Sequence, residues 1–142
     1  MEKYTIEECA DKDAELIIDN LVEYNLSKVP LKQAVPFLWI NRVIKNEDGE
    51  IVAGILSKMY CWNCLYIDTL WVKEDHRQDG IGTILLREIE RIAKENKCYL
   101  IHLDTFDFQA KGFYIKRGYE IFGQLDECPQ EHTRFFMKKN IQ

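Results

Sequence analysis

Two spacings of hydrophobic residues alternate along this chain, one typical of strands and one typical of helices. Residues 51–60 and 65–72 are apolar runs rich in β-branched and aromatic side chains, which predicts two strands. Asn46-Glu47-Asp48-Gly49 precedes the first run and predicts a hairpin turn. A helical stripe predicts that residues 82–96 form a helix with one buried face; its members are Ile81, Leu85, Ile89 and Ile92.

The remaining segments complete a β-α-α-β-β-β-α-β-α-β-β order. We predict strands at 4–6, 38–45, 98–104, 119–124 and 133–138, helices at 10–25 and 109–116, and a short helix in the broken stretch 30–36. Gly118 is the expected C-terminal cap of the 109–116 helix. Strands and helices mixed in this order predict an α/β (α+β) fold, with a mixed sheet flanked by helices.

Composition narrows the classes of protein. With 142 residues, 46% of them apolar, the chain is predicted to form one domain, residues 1–142, with a real core. No apolar run is long enough to cross a membrane, and the N-terminus has no signal-peptide core. A net charge of −5 without a Lys/Arg stripe argues against nucleic acid as a partner. Five cysteines without a disulfide pattern favour a cytoplasmic, reduced protein.

The segment Arg77-Gln78-Asp79-Gly80-Ile81-Gly82-Thr83 lies between a predicted strand and a predicted helix. Free N–H groups and the dipole at a helix N-terminus attract an anion, and the two glycines let a phosphate approach the backbone. Arg77 adds guanidinium donors at the rim. A P-loop would need Lys-Ser/Thr after the second glycine, and a Rossmann fingerprint would need a third glycine. Both of those nucleotide sites are therefore excluded.

The R-x-x-G-x-G spacing after a strand resembles the pyrophosphate loop of the GNAT acetyltransferase superfamily. A second segment, Phe113-Tyr114-Ile115-Lys116-Arg117-Gly118-Tyr119, resembles the F-Y-x-x-x-G-F/Y element of that family. The resemblance covers roughly residues 51–138, and the first fifty residues match only in layout. It implies a mostly antiparallel mixed sheet flanked by helices, and transfer of acetyl from acetyl-CoA to a primary amine of a small molecule or a protein.

The resemblance also implies a set of site residues. Pyrophosphate would lie on Arg77 and the backbone of Gln78, Asp79, Gly80, Ile81, Gly82 and Thr83, and the pantetheine arm along Leu70, Trp71 and Val72. The N–H of Val72, or of a close neighbour, would donate to the thioester carbonyl, as in an oxyanion hole. Tyr114 would supply a proton or a hydrogen bond to the departing thiolate.

Three acidic residues carry open alternatives. Asp68 is the candidate general base, since period 2 places it on the face of Leu70 and Val72; the alternative is a solvated strand carboxylate. Asp107 stands where many relatives have an Asn that contacts the CoA arm, but it could instead cap the following helix. Asp79 replaces a basic residue or glycine of many relatives, and either points outward or weakens CoA binding.

Other chemistry is less well supported. Cys61-x-x-Cys64 is a lone pair without further ligands, so we expect no metal site, although a redox or metal protein is the third hypothesis. The second is a non-catalytic module that binds acyl-CoA. His76, His102 and His132 are expected to be surface or structural residues, with His132 possible at the acceptor site. No cysteine is placed for an acyl-enzyme, which favours direct transfer, by a monomer or a homodimer.

Overall fold

The computed structural model describes residues 3–142, which divide into two compact units, one ending at Leu31 and one from Lys32 to Gln142. The first unit contains helix α1 (Asp11–Lys28). Asp11 and Asp13 in its first turn and Lys28 in its last turn complement the helix dipole. The strand predicted at 4–6 is wrong, because residues 3–31 contain no other strand with which it could pair.

The second unit carries seven strands and two α-helices. The strands are β1 (Phe37–Trp39), β2 (Arg42–Lys45), β3 (Ile51–Tyr60), β4 (Cys64–Val72), β5 (Leu100–Phe106), β6 (Glu120–Asp126) and β7 (Thr133–Asn140). The helices are α2 (Ile81–Glu95) and α3 (Lys111–Lys116), with a 3₁₀ turn at Glu74–His76. No helix forms at 30–36, where the Gln33 side chain bonds to the Met59 carbonyl and the Asn63 N–H instead.

The strands form one mixed sheet in the order β1-β3-β4-β5-β7-β6, with β2 also on β3. The pair β4–β5 is parallel and the others are antiparallel. The predicted class of fold, a mostly antiparallel mixed sheet flanked by helices, is confirmed. Helices α2 and α3 contribute Leu86, Ile89 and Tyr114 to a core shared with the sheet.

The strand predicted at 38–45 is divided into β1 and β2, and side-chain chemistry explains the interruption. The Asn41 side-chain oxygen accepts the Ser57 N–H at 3.0 Å, and the Ser57 hydroxyl donates to the Ile40 carbonyl at 2.6 Å. The Ile40 N–H still donates to the Ser57 carbonyl at 2.8 Å, but the Ser57 N–H bonds to the Asn41 side chain instead of to the backbone of the neighbouring strand. The Asn46–Gly49 turn is confirmed, with the Asn46 side chain accepting the N–H groups of Asp48 and Glu50.

Among residues 3–142, no helix is both long and apolar enough to span a membrane.

Candidate active site

Strands β4 and β5 begin as neighbours and then separate. Their parallel pairing runs from Cys64 and Leu100 to Ile67 and Leu103, and within the described part of the chain no pairing between them continues beyond that point. The rest of β4 stays paired with β3 on its other side. The sheet therefore opens into a cleft between the C-terminal ends of two central strands.

Backbone donors of β4 face this cleft. The Lys73 N–H donates to the Val52 carbonyl at 2.8 Å, so the next pair, Ala53 and Val72, is a non-hydrogen-bonded pair. By the alternation of an antiparallel ladder, the N–H groups of Val72 and Leu70 point away from β3 and toward the cleft. The backbone of Trp71 is instead paired with β3. Only the exposed side chain of Trp71 is therefore available to contact a ligand.

The start of α2 lies beside this cleft. Gly80 is its N-cap, with a left-handed φ of 74° and no side-chain cap. Within residues 3–142, the N–H groups of Gln78 and of residues 80–83 have no hydrogen-bond partner, whereas the Asp79 N–H is taken by the His76 carbonyl at 3.2 Å. Arg77 Nε donates to the Val72 carbonyl at 3.1 Å, which ties the loop to the end of β4.

Gly82 lies next to the Phe113 ring of α3. A Cβ on Gly82 would lie 3.4 Å from the Phe113 ring and 3.6 Å from Val72 Cγ2. A Cβ on Gly80 would meet nothing within 4 Å, so Gly80 is required for its backbone angle, whereas a Cβ on Gly82 would make van der Waals contacts at the short end of the ordinary range. A bare backbone with several free N–H groups at a helix start fits a diphosphate.

Tyr114 follows Phe113 on α3 and is 4% exposed. Burial raises the pKa of its phenol above the ordinary value of 10. The phenol makes only ring contacts with the described residues, to Phe113 and Tyr119. Every fully buried side-chain oxygen or nitrogen in residues 3–142 has a hydrogen-bond partner, so the Tyr114 hydroxyl, which has none, must still reach solvent. It is a protonated donor that is free to bind a ligand.

Comparisons with known proteins agree with this geometry. The model of the acetyltransferase (GNAT) family matches residues 9–119 of this chain. This chain belongs to the GNAT acetyltransferase family. It is 30% identical over 117 residues to blasticidin-S acetyltransferase of Streptomyces morookaense, covering 82% of this chain and 85% of the relative. It is 29% identical over 139 residues to an acetyltransferase of Agrobacterium fabrum, covering 97% and 98%.

A solved structure extends the likeness to the whole fold. The crystal structure of an acetyltransferase from Bacillus cereus is 42% identical to this chain, with a TM-score of 0.88 and 99% of each chain covered. The family and its relatives make the protein an acetyl-CoA-dependent acetyltransferase. The identity of its acceptor is a separate question. It depends on the residues that line the cleft on the face of the sheet opposite the core.

A β-bulge places Asp68 on that other face. The register of β3 with β4 passes from Ser57–Ile67 to Leu56–Thr69, so Asp68 is the extra residue. Side-chain alternation is reset there, and Leu70 and Val72 pack on the core whereas Asp68 is exposed. The interpretation that Asp68 shares their face is therefore wrong. Its charge acts instead on Tyr66, on the opposite face of the sheet.

A polar network stands beside Asp68 at the point where β4 and β5 separate. The Tyr66 hydroxyl donates to Asp104 Oδ2 at 2.7 Å, and Arg134 donates to Asp104 Oδ1 through Nε at 3.0 Å and Nη2 at 2.6 Å. Burial, the bond to Asp104 and the charges of Asp104 and Asp68 raise the Tyr66 pKa to about 12. Asp104 is thus compensated, while no residue among 3–142 forms an ion pair with Asp68.

Asp107 does not cap the helix that follows it. Its carboxylate accepts the Thr133 N–H at 2.9 Å and contacts His132 Nδ1 at 2.8 Å, so it links the β5–α3 loop to the start of β7. The bond to the Thr133 N–H is the main cause of its lowered pKa. The capping interpretation is wrong, because Ala110 is the N-cap of α3 and has no side-chain cap. A contact with CoA stays a prediction.

The remaining candidates lie in structural contacts. His76 pairs with Asp75 at 2.7 Å. His102 bonds the Tyr60 hydroxyl at 2.7 Å, and burial lowers its pKa. Burial raises the pKa of the Cys61 thiol at the β3–β4 turn, which makes it a poor nucleophile. Across residues 3–142, no three His, Cys, Asp or Glu side chains are grouped to hold a metal ion.

Sequence reasoning missed four residues that shape the site, namely Tyr66, Asp104, Arg117 and Arg134. Three of them form the network beside Asp68, and each comes from a different strand. Arg117 joins α3 to the first turn of α2 through Thr83. The only local signal was the position of Arg117 within the F-Y-x-x-x-G-F/Y element, since contacts between strands far apart in sequence leave no motif.

Proposed function

We propose that this acetyltransferase moves the acetyl group of acetyl-CoA directly to a primary amine of a small molecule, with both substrates bound together. The cleft between β4 and β5 carries the proposal. It presents the N–H groups of Leu70 and Val72 beside the uncapped start of α2. This combination suits an extended donor with an anion at one end.

Donor binding divides between backbone and side chains. The free N–H groups of Gln78 and residues 80–83 would bind the diphosphate, with the Arg77 guanidinium at the rim. The pantetheine arm would lie along Leu70 to Val72. There it would accept hydrogen bonds from the cleft-facing N–H groups, in the place that a neighbouring strand would otherwise occupy. Acetyl-CoA bound in this way supplies an activated thioester.

The acid and base functions fall on opposite faces of the cleft. From the exposed face, Asp68 would accept a proton from the ammonium, because an amine attacks only when neutral. The N–H of Leu70 or Val72 would donate to the carbonyl oxygen as negative charge develops there. From the core face, Tyr114 would donate a hydrogen bond to the departing thiolate. Its raised pKa favours such donation over full transfer of the proton.

The bonds and protons balance over the whole reaction. The nitrogen forms a bond to the carbonyl carbon while the carbon–sulfur bond breaks. The nitrogen releases one proton before it attacks and a second on forming the amide, and the sulfur takes up one of them. The solution gains the other proton, so Asp68 must return it to solvent before the next cycle.

The likeness to blasticidin-S acetyltransferase favours a small acceptor, because that relative is named for acetylation of a small molecule. The exposed, unpaired carboxylate of Asp68 adds negative charge on the face from which the acceptor would approach. An ammonium group would be attracted there, in keeping with the net charge of −5.

The first test is thermal stabilisation by acetyl-CoA, with ATP and NAD as controls. Ligand at about 100 times Kd should add about 2.7 kcal/mol, or roughly 9 °C in Tm for a chain of this length. A shift with acetyl-CoA alone supports the donor site and leads to a screen of amines for CoA release. No shift at millimolar acetyl-CoA would contradict the proposed donor site.

A further inference from the structure

The side chain of Arg117 reaches from the end of α3 to the first turn of α2. Its Nε donates to Thr83 Oγ1 at 2.9 Å, and its Nη2 donates to the same oxygen. Its Nη1 donates to the Phe113 carbonyl at 3.0 Å, and the guanidinium carbon lies 4.0 Å from the centroid of the Phe113 ring. These contacts fix the guanidinium in both position and orientation.

The Thr83 hydroxyl is left with one function, that of a donor. A hydroxyl oxygen has two acceptor lone pairs and one hydrogen. Arg117 occupies both lone pairs, and no residue from 3 to 142 accepts a hydrogen bond from this hydroxyl. The hydrogen must therefore point away from Arg117. Thr83 is the third residue of α2, so this hydroxyl belongs to the same helical turn as the free N–H groups of residues 80–83.

We propose that Arg117 is a positioning residue that holds the Thr83 hydroxyl as a donor to a diphosphate oxygen of CoA. This inference rests on the proposed function, since it assigns a further donor to the same site. Two N–H groups on the oxygen polarise the O–H bond and strengthen it as a donor. They also prevent the hydroxyl from rotating, so less entropy is lost when a ligand binds.

A purely structural contact would behave differently. If Arg117 only joined α3 to α2, its loss would loosen the whole cleft and weaken every ligand that binds there. A donor aimed at the diphosphate affects only ligands that contain one. A comparison of the affinities for CoA and pantetheine distinguishes these two cases, because pantetheine carries the same thiol arm without the diphosphate.

The experiment measures Kd for CoA and for pantetheine by titration calorimetry, using the full chain. We expect Arg117→Gln and Thr83→Val each to raise the Kd for CoA about tenfold, and neither to change the Kd for pantetheine. The double variant should be no weaker than either single variant, because both changes remove the same hydrogen bond. Thr83→Ser keeps the hydroxyl and should restore most of the affinity. Lys116→Gln removes a neighbouring exposed charge and should leave both Kd values unchanged.

Three outcomes would overturn the inference. Equal weakening of CoA and pantetheine would leave Arg117 a structural contact only. Additive effects in the double variant would separate the two residues, and an unchanged Kd for CoA in Thr83→Val would remove the hydroxyl from the site. If Arg117→Gln does not fold, Thr83→Val against Thr83→Ser still decides the question. Wild-type protein that binds neither ligand would contradict the proposed function as well, which distinguishes the two failures.

Discussion

The two sides of the cleft, which we assign to the donor and to the acceptor, are built by different means. On the donor side, the loop from Arg77 to Thr83 presents backbone N–H groups at a helix start, and its shape depends on Gly80 at φ 74°. On the acceptor side, Asp68 lies on a β-bulge next to the Tyr66–Asp104–Arg134 network, which comes from three strands. The first side is largely local in sequence and made mostly of backbone groups, and the second is assembled from side chains.

The difference indicates which half of the reaction can vary. Backbone N–H groups are present whatever the side chains, provided that the turn keeps its shape. A donor site of this kind therefore tolerates many substitutions in the loop. An acceptor site made of side chains changes with each substitution. We therefore expect variants on the donor side to alter affinity for CoA, and variants on the acceptor side to alter turnover with the amine.

Tyr114→Phe should have the largest effect on turnover. Removing the hydroxyl takes away the only side-chain donor that we assign to the thiolate, and kcat should fall about a hundredfold or more, on the order of losing one hydrogen-bond donor to developing negative charge. Affinity for acetyl-CoA should change little, because the phenyl ring stays in the core. Initial rates of CoA release and a calorimetric Kd measure the two quantities.

Tyr119→Phe is the matched control for that variant. Tyr119 is also buried on the core face, but its hydroxyl donates to Glu90 Oε2 at 2.8 Å rather than remaining free. Its loss should cost about 1 kcal/mol of stability and leave kcat intact. Similar losses of kcat in both variants would remove the special role of Tyr114.

Asp68→Asn tests the acceptor side. An amide cannot take a proton from the ammonium, so kcat/KM for the amine should fall about a hundredfold at neutral pH. The loss should diminish as pH rises toward the pKa of the amine, because neutral amine is then present without a base. The Kd for CoA should not change. A loss of the same size at every pH would contradict a base role and leave Asp68 a binding residue.

The donor side was predictable because its physics is local. A strand, a turn with two glycines and an amphipathic helix follow from nearest neighbours in sequence, and the structure begins α2 within one residue of the predicted start. Gly118, at φ 93°, ends α3 as predicted. In both places a glycine is needed for its backbone angle, which a sequence displays directly.

The acceptor side was not predictable, since a one-residue bulge has no sequence signature in β4. The two-residue alternation of side chains along a strand correctly places Leu70 and Val72 on one face. The alternation is interrupted at Asp68, because the bulge adds one residue there. The break between β1 and β2 was missed for a similar reason, because it depends on Asn41 bonding to Ser57 sixteen residues away. Contacts at long sequence separation decide these features.

Gly80→Ala should weaken the donor side by distorting its turn. A Cβ at φ 74° meets no neighbour, so the whole cost is backbone strain, about 1–2 kcal/mol. The expected result is a lower Tm and a severalfold higher Kd for CoA. Gly112→Ala is the control, since its Cβ also meets nothing but its φ is ordinary for a helix, so it should raise stability. Equal behaviour of the two variants would contradict the role of the left-handed angle.

His102 gives the acceptor face a pH dependence of stability. Burial lowers its pKa below the ordinary 6.5, and Asp104 offsets this only in part. The folded protein therefore binds a proton less readily than the unfolded chain, and stability falls as pH drops below about 6.5. Urea unfolding at mildly acidic and neutral pH should show a smaller loss on acidification for His102→Gln than for wild type. An identical loss in both would mean that His102 does not contribute.

Asp79→Lys should have the smallest effect, and it tests whether the charge of this exposed side chain influences the binding of CoA. The Asp79 N–H is already bonded to His76, so any influence on CoA comes from its exposed carboxylate. Replacing a negative with a positive charge beside a diphosphate should lower the Kd for CoA about threefold at low salt, since exposed charges interact weakly. Asp79→Asn should give about half of that free energy, and 0.5 M salt should remove most of both effects. If neither variant changes the Kd at low salt, the Asp79 side chain points away from the ligand.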